Sequence, residues 1–338
     1  MTPADPSASR DGPLARALAP VLDGAGGPIL LAVSGGPDST ALMHAAAARG
    51  PAGGLFVATV DHGLRADSAA EARAVGARAG TLGLPHAVLT WDAPRRGSRV
   101  QAEARAARYR LLALHARGIG AGLVLTAHTR DDQAETVLLR LIAGSGPGGL
   151  AGMRPERPLA EGVRLARPFL ALPKADLVAY CAAHTLPFAT DPSNADERFA
   201  RARLRRLLPL LESEGLGAVR LARLATRAAR DEAALSARAA AVLINLRRHG
   251  PEGWCLDGRR LAREPEAVVL RVLDAALDAV AESPAPKRLE RLERLVLDAV
   301  LPALGEGRAL RRTLRGVLVS VGPSGTVRLA PAPPRRDD

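Results

Sequence analysis

Aromatic residues make up 2% of this 338-residue chain, and cysteine and lysine each occur twice. Recognition through an aromatic stacking platform, as in many single-strand binders, is therefore poorly supported. Cys181 and Cys255 lie far apart and match neither CxxC nor a zinc spacing, so a disulfide framework or metal cluster is not expected, and both read as packing residues. None of the seven histidines pairs with another at H-x₃₋₅-H spacing, which argues against zinc. Lys174 and Lys287 each follow a proline, so no Walker lysine with its Ser or Thr exists. There is no run of about eighteen apolar residues, and no apolar core in the stretch Met1 to Leu14, so a soluble, cytoplasmic protein with no membrane partner is expected.

Arginine is in excess, giving a net charge of +12 and a pI near 11.1. Such charge suits a polyanionic partner. Abundant arginine with abundant alanine also follows from GC-rich coding, so charge alone does not decide.

Apolar runs at Ile29 to Val33, Leu55 to Val60, Ala87 to Trp91 and Leu123 to Ala127 alternate with helix-period segments, which predicts a mainly parallel, doubly wound α/β sheet with crossover helices. The helix before the fourth of these strands has a candidate capping box at Ser98 and Gln101 and an inward stripe of Val100, Ala104, Ala107, Leu111 and Leu114. Arg105, Arg108 and Tyr109 fall on its other face. Residues 15–212 are expected to form the catalytic domain and 213–330 a mostly helical second domain, with helices at about 216–247, 264–281 and 288–304 and short strands near 316–321 and 326–329. The proline-rich tail 331–338 is expected to be disordered.

The most informative stretch is Ser34-Gly35-Gly36-Pro37-Asp38-Ser39, a glycine turn between strand and helix. Glycine lets the backbone approach a ligand, and the first N–H groups of the next helix favour an anion. Asp38 inside that loop would repel phosphates unless Mg²⁺ lay between them. Two more polar clusters end strands: Asp61-His62-Gly63-Leu64-Arg65, and His128-Thr129-Arg130-Asp131-Asp132. Ligands of open parallel sheets bind beyond the strands' carboxyl ends. Asp131 and Asp132 could be simple helix-start residues, but Asp132 and Asp38 projecting from one edge also suit Mg²⁺ or an ammonium group. The loop 143–150, rich in glycine, reads equally as a linker or a gate. After Asp191-Pro192-Ser193-Asn194 comes a basic helix with five arginines in nine residues, namely Arg198, Arg201, Arg203, Arg205 and Arg206, which favours a phosphate partner over a merely solvated face.

In order over residues 28–212, SGGPDS, VDHGLR, EARAARYRLL, the long block Leu125 to Met153, RPFLALPKADLVAYC and DPSNADERFARARLRRLLPLLE resemble the tRNA(Ile)-lysidine synthetases, within the N-type ATP pyrophosphatase (PP-loop, adenine-nucleotide alpha-hydrolase-like) group. Thr129 stands where a second histidine is common, and Ala202 where the family usually has Asn.

The resemblance implies ligation of L-lysine to C2 of the wobble cytidine of tRNA(Ile) with anticodon CAU, through an adenylated cytidine, with ATP split to AMP and pyrophosphate. It implies ATP contacts at Ser34, Gly35, Gly36, Pro37, Asp38 and Ser39, Mg²⁺ at Asp38 and Asp132, and catalytic positions at Asp38, Arg108, His128 and Asp132 around cytidine and lysine. Arg201, Arg203, Arg205 and Arg206, with the second domain, are expected to hold tRNA. No obligate protein partner is indicated. The rival readings are a tRNA thiolase of the same group, which commonly needs paired cysteines, and a non-catalytic tRNA-binding protein with a vestigial nucleotide site.

Overall fold

A computed structural model describes residues 12–50, 53–61, 63, 68–91, 100–189, 198, 200–250, 253–283 and 287–333. The chain divides into two units, 1–143 with 152–225, and 144–151 with 226–338. The composition shift near residue 212 falls inside the first.

In the first unit β1 (Ile29–Ala32), β2 (Leu55–Asp61), β3 (His86–Thr90), β4 (Leu123–Leu125), β5 (Glu156–Ala160) and β6 (Val163–Ala166) form one sheet in the order β3-β2-β1-β4-β6-β5. All neighbours are parallel except β5, which runs antiparallel to β6. β1 is buried on both faces, so it reads as an unbroken apolar run, and its side chains alternate between two cores. Ile29 and Leu31 pack with α1 (Pro13–Asp23), α2 (Pro37–Arg49), α3 (Ser68–Thr81) and α7 (Lys174–Ala183). Leu30 and Ala32 pack with Leu112 and Ala116 of α4 (Val100–Gly118). Helices on both faces make the sheet doubly wound, as the alternation of segments predicts. The strand order reverses between β1 and β4, so the crevice for a ligand opens at their carboxyl ends.

α4 departs from the expected stripe. Ala104 and Ala107 are buried, but Leu114 is 69% exposed, and Leu112 and Ala116 pack into the core against the sheet instead. A helix this alanine-rich has a weak apolar contrast, and packing against β4 and β6 sets its rotation. The Ser98 capping position lies outside the described residues. α5 (Arg130–Ile142), α8 (Ala200–Ser213) and the first turns of α9 (Ala218–Leu246) share a smaller core of Ala134, Val137, Leu138, Leu204, Leu221 and Ala225.

The second unit is mostly helical, as expected, and the strands expected near 316–321 and 326–329 belong to a larger sheet. It holds a five-stranded antiparallel sheet in the order β7-β8-β11-β10-β9, formed by β7 (Arg247–Gly250), β8 (Gly253–Asp257), β9 (Leu310–Leu314), β10 (Val317–Val321) and β11 (Thr326–Pro331). Its apolar face packs on α11 (Glu266–Val280) and the later helices. β7 and β9 lack the alternation that marks a strand; pairing with β8 and β10 orders them. Three further helices, α6 (Pro147–Leu150), α10 (Gly258–Leu261) and α12 (Leu289–Leu295), belong here. The predicted single helix at 288–304 is interrupted by a π-turn, Val296–Val300, before α13 (Leu301–Glu306). Pro302 has no N–H to give the carbonyl four residues back, which explains the break.

Candidate active site

The loop after β1 is braced from within. Gly35 has φ +88°, a left-handed conformation suited to glycine, and a Cβ there would sit 3.3 Å from Val75. The Ser39 hydroxyl accepts the Ser34 N–H (3.1 Å) and donates to the Gly36 carbonyl (3.1 Å), with Ser34 Oγ 3.2 Å away. Ala189 N–H donates to the Gly35 carbonyl (2.9 Å), and the Cys181 thiol lies 3.4 Å from the Pro37 carbonyl. With these carbonyls held by protein donors, planar peptides turn the opposed N–H groups of Gly36 and Asp38 the other way. Both cysteines are buried free thiols.

Asp38, in the first turn of α2, has Oδ2 3.2 Å from Lys174 Nζ, while its Oδ1 is buried without a hydrogen-bond partner. Burial raises the Asp38 pKa, Lys174 opposes the rise, and the nearby Asp132 and Asp131 carboxylates add to it. Lys174 thus partners one oxygen of this carboxylate and leaves the other without a hydrogen bond. Lys174 is the residue that sequence reasoning missed: it fails the Walker pattern, and only the fold carries α7 to the loop. Its backbone N–H donates to Asp131 Oδ2 (2.8 Å), and Arg130 N–H to the Leu172 carbonyl (2.8 Å), so the starts of α5 and α7 are tied together.

The helix-start reading of Asp132 is realised. Its Oδ2 accepts the Thr129 N–H (2.8 Å) and hydroxyl (3.0 Å), and Thr129 caps α5 in return. Thr129 is fully buried as a cap, a structural use of the position where a second histidine is common in the family it resembles. The cap does not remove Asp132 from the site, because its charge acts on Asp38.

His128 Nδ1 lies 2.9 Å from the Thr126 hydroxyl. Burial pushes its pKa down to about 3, and Arg108, Arg167, Arg105 and Arg201 push the same way, so the imidazole is neutral. Arg108 is close enough to act on it.

The basic helix α8 is not uniform. Arg201, Arg203 and Arg206 are exposed, but Arg205 pairs with Glu135 of α5, Nε to Oε1 at 2.6 Å and Nη2 to Oε2 at 3.4 Å. Glu135 is 4% exposed, so Arg205 first serves a buried carboxylate. Ala202, on the inner face of α8, is also buried. Asp61 Oδ1 accepts the Gly63 N–H (2.8 Å); His62, Leu64 and Arg65 lie outside the described residues, as do Asp191, Pro192, Ser193 and Asn194. Of the 143–150 loop, residues 147–150 form the helical turn α6, and 144–151 group with the second unit. There a Cβ on Gly148 would come within 3.0 Å of Glu232 Oε2, so glycine permits the close approach.

Among the described residues no helix is long and apolar enough to cross a membrane, and no group of three His, Cys, Asp or Glu could hold a metal.

The PP-loop domain family model matches residues 14–211. A tRNA(Ile)-lysidine synthase of Methylobacterium nodulans is 58% identical over 316 residues, 93% of either chain. One of Rhodopseudomonas palustris is 47% identical over 321 residues, 91% of either chain. In fold the chain is similar to the U34-tRNA thiolase NcsA from Methanococcus maripaludis with its [4Fe-4S] cluster, with a TM-score of 0.55 at 16% identity over 64% of this chain and 76% of that one.

Proposed function

The chain belongs to the tRNA(Ile)-lysidine synthase family of PP-loop enzymes, and from that membership we infer how its site works. It is an ATP-using ligase that modifies tRNA. The reaction joins the ε-amine of L-lysine to C2 of the wobble cytidine in the CAU anticodon. First the C2 oxygen attacks the α-phosphorus of ATP and pyrophosphate leaves; then the amine attacks C2 and AMP carries that oxygen away. Adenylation turns a poor leaving group into a good one.

The loop Ser34, Gly35, Gly36, Pro37, Asp38 and Ser39 holds the phosphates through backbone N–H groups and the α2 terminus. One observation carries this reading: Asp38 stands in that loop with a buried, orphaned Oδ1 beside Lys174. Lys174 exchanges its pairing with Asp38 for a phosphate oxygen when ATP enters. The donor set fits Mg²⁺ only if ATP oxygens complete it, with Asp38 Oδ1 and the uncapped oxygen of Asp132 on the protein side. Mg²⁺ there would neutralise charge on the departing pyrophosphate.

Arg108 and the neutral His128 face the cytidine ring, where an imidazole can hydrogen-bond without adding charge. The alternative use of Asp132 Oδ1, with Mg²⁺ held by Asp38 and ATP oxygens alone, is to hold an ammonium of lysine. Arg201, Arg203 and Arg206, with the second unit, grip the tRNA backbone; Arg205 anchors α8 to α5 and adds its outer edge to that surface.

The test incubates the protein with α-labelled ATP, labelled lysine and tRNA(Ile) transcript. Lysine entering RNA with one AMP formed per lysine is the expected result, lost in Asp38→Asn without loss of helical content. ADP as the product, or full transfer by the variant, would overturn the site assignment.

A further inference from the structure

Arginines crowd the carboxyl edge of the sheet, and four of them pair with no acid among the described residues. Arg105 and Tyr109 lie in the first half of α4, the end of a crossover helix that meets the strand carboxyl ends. Arg157 is the second residue of β5, which runs antiparallel to β6, and Arg167 directly follows β6, so all four lie toward the same edge. The Arg105 guanidinium carbon is 5.4 Å from the centroid of the Tyr109 ring and that of Arg157 is 5.1 Å from it. Arg167 is 4% exposed, donates from Nη1 to the Arg154 carbonyl (2.6 Å), and reaches the Tyr109 hydroxyl. Its Nε is buried with no partner. Among the described residues no carboxylate forms an ion pair with Arg105, Arg108, Arg157 or Arg167.

Elsewhere this protein pairs its guanidiniums with acids, as at Arg49 with Asp23, Arg164 with Glu156, Arg205 with Glu135 and Arg238 with Glu264. A buried guanidinium with an idle donor, flanked by like charges, is unfavourable unless an anion completes it. Tyr109 holds the group apart by accepting cations on its ring and a donor at its hydroxyl. The depressed His128 pKa, with Arg108, Arg167 and Arg105 among its causes, reports the same uncompensated field.

We propose that Arg105, Arg157 and Arg167, arranged around Tyr109, form a seat for backbone phosphate of the anticodon loop next to the splayed wobble nucleotide. A single carboxylate would bring one charge to three or more guanidiniums. Consecutive phosphodiesters bring one each, and their oxygens match the planar guanidinium fork. The Tyr109 ring is engaged by guanidiniums, so the site binds backbone and leaves the base to neighbouring residues. The seat lies beside His128 and Arg108, so it fixes the phosphate while the base turns toward them. This rests on the ligase reading for the identity of the RNA, but the anion seat itself does not require catalysis.

The experiment uses the full chain and a fluorescein-labelled anticodon stem-loop with the CAU sequence, titrated from about 50 to 200 mM KCl. R105Q and R157Q alter partly exposed side chains and are expected to fold. Each should weaken RNA binding roughly 10-fold and lower the salt slope by about 0.7–0.9, with R105Q/R157Q showing both losses summed. Binding of a fluorescent ATP analogue and the KM for lysine should stay unchanged. R167Q, checked by circular dichroism, should match them. Unchanged RNA affinity and slope in the double variant would overturn the proposal. So would a raised lysine KM with RNA binding intact, which would make the seat a carboxylate site. A wild-type protein that transfers no lysine yet loses salt slope in these variants would sink the ligase reading and leave the seat standing.

Discussion

Arg205 should behave unlike its neighbours on α8 when its charge is removed. The Arg205 to Glu135 contact is 2.6 Å, where Coulomb attraction is about 6 kcal/mol at an effective dielectric constant near 20. That gross figure is not the loss. What Arg205→Met leaves behind is a carboxylate 5% exposed without its counter-ion, which costs about 3–5 kcal/mol when fully enclosed. The Arg205 side chain is 34% exposed, so water can reach the vacated edge, and the expected cost falls to about 2–3 kcal/mol. For a unit of this size that lowers Tm by roughly 4–12 °C. Differential scanning fluorimetry measures it, and Glu135→Gln combined with R205M should recover part of the loss because no lone charge remains. R201Q, at an exposed position, should instead leave Tm nearly unchanged and flatten the salt dependence of tRNA binding. An R205M protein melting within about 1 °C of wild type would refute the reasoning, since it would mean that Glu135 does not need its partner.

Two other outcomes follow from the site. His128 has a folded pKa near 3, below the usual 6.5, so the unfolded chain binds the extra proton between those values and stability falls as pH drops through that window. By pH 5 the loss is about 2 kcal/mol at most, and H128N should remove that pH dependence; a histidine resonance titrating near pH 6.5 and assigned to His128 would contradict it. K174Q should lower kcat/KM for ATP by roughly 10²-fold, with K174R restoring most of it, and unaltered steady-state kinetics in K174Q would remove Lys174 from the phosphate site.

The glycine turn, the strand-end clusters and the alternation of segments were legible because each is a local pattern: positive φ, carboxyl-end placement and side-chain period are properties of a few consecutive residues. His128, read at a strand end by that logic, lies close enough to Arg108 to feel its charge. β7 and β9 were illegible because Arg247 to Gly250 and Leu310 to Leu314 carry no alternation of their own, and their pairing is supplied by β8 and β10. The burial of Leu112 over Leu114 was illegible for the same reason, since alanine on several faces of α4 leaves its rotation to the sheet.

The order of residues determined the doubly wound PP-loop unit and the family, since both rest on contiguous motifs with their own backbone requirements. Tertiary structure alone decided which charges meet. It brought Lys174 to Asp38, withdrew Arg205 onto Glu135, and gathered Arg105, Arg157 and Arg167 with no acid paired to them among the described residues. Electrostatic partnership depends on distance and burial across elements far apart in the chain, and no local pattern encodes either.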